Sequence, residues 1–337
     1  MPADPSPTDL HARVAAAILA QLEIADPASW TPPWHGADPM PRNARTGRRY
    51  RSINVLALWC AAQGHGYNDA RWATYRQWAA VGAQVRRGER GTLILFYKDL
   101  PTTGRADTTH GTNTDNDTTA ARFVTRASTV FNIAQVNAAP QATAPTGPPA
   151  APQSTFDTFV TATGAAIQTG GTRACYIPLT DTIRMPPRSA FRTAEGYAGT
   201  LAHELVHWTG APHRLARDLT SRFGRRAYAA EELIAELGAA FVLADLGLAR
   251  TPHPDHAAYL ASWLPLLTAD PRVLATAAAA ASRAADYLTA LPTPDNATLT
   301  AGGHNGGHNP ATPNFITEQP PTSATPTAVR PMSASVA

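Results

Sequence analysis

A chain of 337 residues with 44% apolar content can bury two domain-sized cores, and it has no apolar run approaching the ~18 residues of a membrane span. Its start, "MPADPSPTDLHARVAAAILAQLE", lacks the basic head and cleavage-like segment of a secretory signal, and Cys60 and Cys175 lack metal-type spacing, so a cytoplasmic protein with two reduced, buried thiols is expected. The net charge of +3 conceals an imbalance: residues 41–98 carry eleven basic side chains against Asp69 and Glu89, whereas 199–290 carry eight arginines against nine acids. Basic charge concentrated in one half points to a polyanionic partner.

The first predicted element is a helix at 8–23, where Leu10, Val14, Ile18 and Leu22 recur at helical spacing. Further helices are predicted at 53–63 and near 74–80. Around them lie "PRNARTGRRYRSINVLALW" (41–59) and "DARWATYRQWAAVGAQVRRGERG" (69–91), in which arginines alternate with aromatic rings. Guanidinium groups for phosphates and planar rings for bases suit single-stranded DNA. The candidate contacts are Arg48, Arg49, Tyr50, Arg51, Asn54, Arg71, Trp72, Tyr75, Arg76, Arg86, Arg87 and Arg90. Trp72, Tyr75 and Trp78 also have the spacing of a core-facing helix stripe, and periodicity does not choose between platform and core.

Strands are predicted at 91–98 and 122–136, and the polar stretch 99–121 between them reads as an expanded hairpin loop. "AAPQATAPTGPPAAP" (138–152) reads as a Pro/Ala linker, so an α+β domain over 1–137 is expected to fold apart from a mainly helical domain over 153–291. Helices of the second domain are predicted at 156–163, 193–209, 228–246, 256–267 and 271–291, the last with Asp270 as its N-cap and Pro271 in its first position. Residues 292–337, rich in Gly, Pro, Thr and Ser, read as a disordered tail.

The chemistry concentrates in "AHELVHWTGAPHR". Residues four apart on a helix differ by about 40° in azimuth and about 6 Å in height, so His203 and His207 aim at one point, as a tetrahedral zinc ion needs. Glu204 is turned about 100° away, out of ligand position but within reach of a water held by the metal, where a general base belongs. The longer pattern H-E-x-x-H-x-x-G-x-x-H would make His213 the third ligand, but that arrangement requires a downstream methionine turn. The methionines are Met1, Met40, Met185 and Met332, and only the last, in the tail, follows the motif. The better third ligand is Glu232 in "AYAAEELIAELGAAFVLADLG", with Glu236, one turn on, orienting a ligand histidine; Glu231 opens a different helical face.

The stretches "TGRRYRSINVLALW", "WATYRQWAAVGAQVRRGERGTLILFYK", "VFNIAQV", "HELVHWTGAPHRLAR" and "YAAEELIAELGAAF", in this order, resemble the ArdC family of antirestriction proteins from mobile elements. The resemblance implies an N-terminal single-stranded-DNA-binding domain joined to a zincin-like metallopeptidase domain, and protection of incoming plasmid DNA from host restriction. Two functions are then expected to compete. One is a DNA-tethered zinc peptidase acting on a protein substrate through Glu204; the other is a non-catalytic protein that shields single-stranded DNA and keeps the zincin domain as a scaffold.

Overall fold

The computed structural model describes residues 39–99, 123–138, 152–219, 226–248, 270 and 272–291, with positions 12, 16 and 267 beside them. The helices predicted at 8–23 and 256–267, the body of the insert and of the linker, and the tail lie outside the described residues. The first described half is built on a four-stranded sheet in the order β1-β2-β5-β4, from β1 (Arg42–Asn43), β2 (Arg71–Thr74), β4 (Thr92–Asp99) and β5 (Phe123–Asn132). β4 and β5 pair antiparallel from Thr92↔Val130 to Asp99↔Phe123, so the strands on either side of the insert are direct neighbours. A two-stranded ribbon, β3 (Gln84–Val85) with β6 (Val136–Asn137), completes this half.

Helix α1 (Ile53–His65) covers the free edge of β4. Its residues 53–59 are all buried, as expected of a helix enclosed on every side. Asn54 is therefore part of the interior: its Nδ2 donates to the Leu95 carbonyl at 2.7 Å and its Oδ1 accepts from the Leu95 amide at 2.8 Å. One amide side chain thus satisfies an edge-strand residue that has no strand partner on that side. Helix α2 (Tyr75–Ala80) opens with a capping box in which Thr74 and Gln77 bond each other's backbone amides.

Two tryptophans that periodicity left open are core. Trp72 lies on β2 at 1% exposure, and Trp78 packs with Ala73, Ala83, Val85 and Val136 while its Nε1 donates to the Phe131 carbonyl at 3.0 Å.

The second half is mainly helical, as expected, with a small sheet that the sequence reading did not place. Beside α3 (Pro152–Thr163) stands a three-stranded sheet in the order β7-β9-β8, made of β7 (Ala166–Thr169), β8 (Cys175–Ile177) and β9 (Thr182–Met185). These strands are three or four residues long, and β7 and β8 bury no residue fully, so they carry no hydrophobic alternation for a sequence reading to find. Helices α4 (Ala194–Thr209), α5 (Ala227–Asp245) and α6 (Arg272–Ala290) pack on one another. Asp270 caps α6, accepting from the Arg272 amide at 3.0 Å.

The halves were expected to fold apart, yet one hydrophobic core runs through both, from Met40 and Leu58 to Leu243 and Leu288. Trp59 of α1 meets Phe241 of α5 at 5.7 Å between ring centroids. The Ser52 amide donates to Ser282 Oγ at 2.7 Å, Arg42 and Arg49 pair with Asp245, and Arg51 pairs with Asp286. The join thus combines apolar packing with ion pairs, of which Asp245 is buried and Arg51–Asp286 lies toward the surface. Both cysteines are free and only partly buried by surface; burial pushes the Cys60 thiol up to about 12.

Candidate functional site

Helix α4 starts where Thr193 Oγ1 accepts from the Gly196 amide at 3.0 Å, and it presents His203 and His207 to α5. The two helices approach closely because position 238 on α5 is glycine: a Cβ there would stand 2.7 Å from Val206 Cγ2. Gly238→Ala should therefore force the helices apart, destabilising the fold by about 1–3 kcal/mol and weakening metal uptake. Adding Val206→Ala should restore both, as urea unfolding and metal titration would show; no rescue would mean that glycine is not setting the spacing.

Among the described residues, one group has the composition and spacing to hold a metal ion: His203, His207 and Glu232, whose candidate ligand atoms all lie within 4.8 Å of one another. The His203 and His207 Nε2 atoms face each other at 3.1 Å, and the Glu232 carboxylate lies 3.3 Å from the first and 3.6 Å from the second. Behind each ring stands a further carboxylate. Glu236 Oε2 is 3.6 Å from His203 Nδ1, and Glu231 Oε1 is 3.1 Å from His207 Nδ1. Carboxylates at Nδ1 favour protons there and turn the Nε2 lone pairs toward the centre.

Two lone pairs and a carboxylate converging on one point repel unless a cation lies between them. The buried Glu232 Oε2 is also left without a hydrogen-bond donor. Both features fit a divalent metal. Burial opposes the imidazolium, yet Glu232 and Glu236 override it and push His203 up to about 10, so the carboxylates draw positive charge to this point, whether a proton or a metal ion. Burial likewise opposes ionisation of Glu231 and Glu232, but Arg217 with His207 in one case, and the two histidines in the other, hold these carboxyls below their usual range.

Glu231 was placed on another helical face by its sequence position, and the structure sets its carboxylate against His207 Nδ1. Arg217 fixes it: Nε donates to Glu231 Oε2 at 2.7 Å while Nη2 donates to the Val206 carbonyl at 2.9 Å, tying the end of α4 to the start of α5. Tyr228 was also missed. It lies one turn before Glu232 and is 61% exposed, and its hydroxyl helps the histidines hold the Glu232 carboxyl below its usual range. The third unforeseen partner is Tyr176 on the edge strand β8, whose amide donates to Glu204 Oε2 at 2.7 Å. His213 stands outside the cluster, on the surface, 3.3 Å from Asp181 Oδ2.

The arginine-rich half sorts the proposed DNA contacts into three groups. Tyr50, Asn54 and Trp72 are buried and hold the core, so they offer no face to a ligand. Arg49, Arg51 and Arg71 are engaged with Asp245, Asp286 and Asp69 respectively. Tyr75, Arg48, Arg76, Arg86, Arg87 and Arg90 are exposed. Among the described residues, only Arg86 of these five arginines has an acid partner, Glu89.

The buried polar residues of "FNIAQV" explain the basic loop. Gln135 is sunk in the interior, where its Oε1 accepts from the Asn132 amide, and its Nε2 donates to Glu89 Oε2 at 3.0 Å and to the Arg90 carbonyl at 2.9 Å. It thereby fastens the turn carrying Arg86, Arg87 and Arg90.

A model described as a zincin-like metallopeptidase matches residues 154–280, and one described as the N-terminal domain of anti-restriction factor ArdC matches residues 8–131. Helices that bring His203, His207 and Glu232 together, behind a first half of the ArdC N-terminal type, define the class: an ArdC-type domain joined to a zincin-like domain. The chain belongs to the ArdC family. It is similar to the ArdC antirestriction protein of plasmid R388, solved metal-free (39% identity, TM-score 0.66) and with Mn(II) bound (40% identity, TM-score 0.65), in each case over 83% of this chain and 97% of that one. Protein y4eC of Sinorhizobium fredii is 43% identical over 290 residues, 93% of its length. Two DNA primases TraC of Escherichia coli are 38% and 37% identical, and the chain spans only 27% and 20% of those longer proteins. No helix among the described residues is long and apolar enough to cross a membrane.

Proposed function

We propose that the protein binds single-stranded DNA through its basic half and hydrolyses a peptide bond in a protein partner at a zinc site held by His203, His207 and Glu232, so protecting incoming mobile-element DNA from restriction in the cytoplasm. The observation that carries the catalytic part is the setting of Glu204: next to a metal ligand, outside the ligand cluster, and anchored by the Tyr176 amide. The chemistry a bound zinc supplies in such a site is Lewis acidity, which polarises a carbonyl and makes water easier to deprotonate.

Glu204, with one oxygen fixed by Tyr176, takes a proton from the attacking water on the other. As the carbon–nitrogen bond breaks, that proton passes to the leaving amine. Glu231 and Glu236 keep the imidazoles in register throughout. An antirestriction role is supported by the relative from plasmid R388, whose name states it.

The test is Glu204→Gln in the full chain. Metal content, fold and DNA affinity should stay unchanged, while peptidase activity and protection against restriction in cells are lost. If protection persists at full level, the protein acts by shielding DNA and hydrolysis is not its function. DNA affinity should also fall steeply with salt and favour single strands over duplex; a flat salt dependence would remove the arginine half from the argument.

A further inference from the structure

The ribbon β3–β6 and the first turn of α2 enclose an open groove of about 470 Å³, within the range that accommodates a small organic ligand. The strand pleat decides which residues face it. Val85 turns inward at 8% exposure, so its neighbours Gln84 and Arg86 turn outward, and Asn137, the cross-strand partner of Gln84, is exposed beside them. Tyr75 stands against Gln84, which donates from Nε2 to its hydroxyl at 2.6 Å. That bond fixes the ring while leaving the residue 49% exposed, and Tyr75 is one of only four large hydrophobic residues on the described surface. Phe131 contributes a second, half-buried ring.

The cations of the groove are unequally free. Arg86 is paired with Glu89, and Glu89 is also held by Gln135. Arg87, at the tip of the turn beside Gly88 (φ +88°), has no acid partner among the described residues. The groove therefore offers an exposed, immobilised aromatic ring, the Gln84 carbonyl oxygen (its Nε2 is taken up by Tyr75 and the Val85 carbonyl), the exposed Asn137 amide, and one cation at the rim.

We infer that this groove is a subsite for one unpaired nucleobase, stacked on Tyr75, read at its edge by Gln84 and Asn137, with an adjoining phosphate on Arg87. This rests on the single-strand reading above and makes it specific. A base in duplex presents its edges but not its faces, so a stacking ring selects a strand whose bases are unstacked. A simple phosphate site would have no use for the ring. A purely structural role for Tyr75 would be confined to its hydroxyl tether and would place no demand on the ligand.

The experiment compares the full chain with Tyr75→Ala, Tyr75→Phe and Gln84→Ala for binding to a fluorescent dT oligonucleotide and to an oligonucleotide of the same length made of abasic sites. The intact protein should prefer dT. Tyr75→Ala should weaken dT binding roughly five- to a hundredfold and leave abasic binding almost unchanged. Tyr75→Phe, which keeps the ring and loses the tether, should retain most of the dT affinity. Gln84→Ala should narrow the differences among dT, dA and dC oligonucleotides. Metal content checks that each variant is folded. Equal binding of dT and abasic strands by the intact protein would overturn the subsite while leaving phosphate-driven DNA binding in place. An equal loss on both strands in Tyr75→Ala would reduce the tyrosine to a structural part. No binding of either strand by the intact protein would sink the single-strand reading itself, and the subsite with it.

Discussion

Glu232→Ala and His203→Ala should each leave the purified protein without bound metal, whereas His213→Ala should leave its metal content as it was. The expectation follows from distance: Glu232 lies 3.3 Å from His203 and 3.6 Å from His207, while His213 is on the surface against Asp181. Glu231→Gln and Glu236→Gln should fall between these extremes. Each keeps its shape but no longer draws a proton to the back of a ligand ring, which should weaken affinity about 10–100-fold. Elemental analysis and competition with a chelator would give the ranking. Metal loss in His213→Ala, with metal kept in Glu232→Ala, would reverse the ligand assignment.

Trp59→Ala should destabilise the whole described body by about 3–5 kcal/mol. Trp59 is fully enclosed and packs against Phe241, so its removal leaves a cavity across the join between the halves. Such a loss is a large share of the roughly 5–15 kcal/mol that holds a typical protein folded. Urea unfolding followed by tryptophan fluorescence should coincide with release of bound metal, in one transition that moves to lower urea in the variant. Two separate transitions, with only the first shifted, would show that the halves unfold independently. For the same reason a fragment ending after residue 137 should fail to fold alone, since the side of α1 that meets α5 would carry Trp59 into water.

What the sequence displayed follows from how local each signal is. His203, Glu204 and His207 lie within one helical turn or so, and helix geometry alone says which of them can share a ligand. Glu232 and Glu236 stood out because a carboxylate in an otherwise apolar helix needs a reason. The β4–β5 hairpin showed itself through two β-rich runs around a polar stretch. The features that stayed hidden depend on distant chain segments. The Tyr176 amide that holds Glu204 belongs to a three-residue strand with no buried position, and nothing in "CYI" distinguishes it from loop. The arginines were counted correctly as charge, but only tertiary structure separates Arg49 and Arg51, bound to Asp245 and Asp286, from Arg87 at its turn. Trp72 and Tyr75 differ by three positions and have opposite environments because a strand ends and a helix begins between them.

The pairing of β4 with β5 has a consequence for how such a chain can vary. Residues 99 and 123 are held as cross-strand partners by eight consecutive register pairs, so the ends of the intervening segment are brought together by the strands and not by the segment itself. For a connection closed in this way, each doubling of length costs only about 0.6 kcal/mol of chain entropy. Both the helices carrying His203, His207 and Glu232 and the basic turn lie elsewhere along the chain. Relatives could therefore lengthen, shorten or exchange this stretch with little effect on either, which makes it a place where a tag, a recognition peptide or a whole inserted domain could be accommodated by the existing fold.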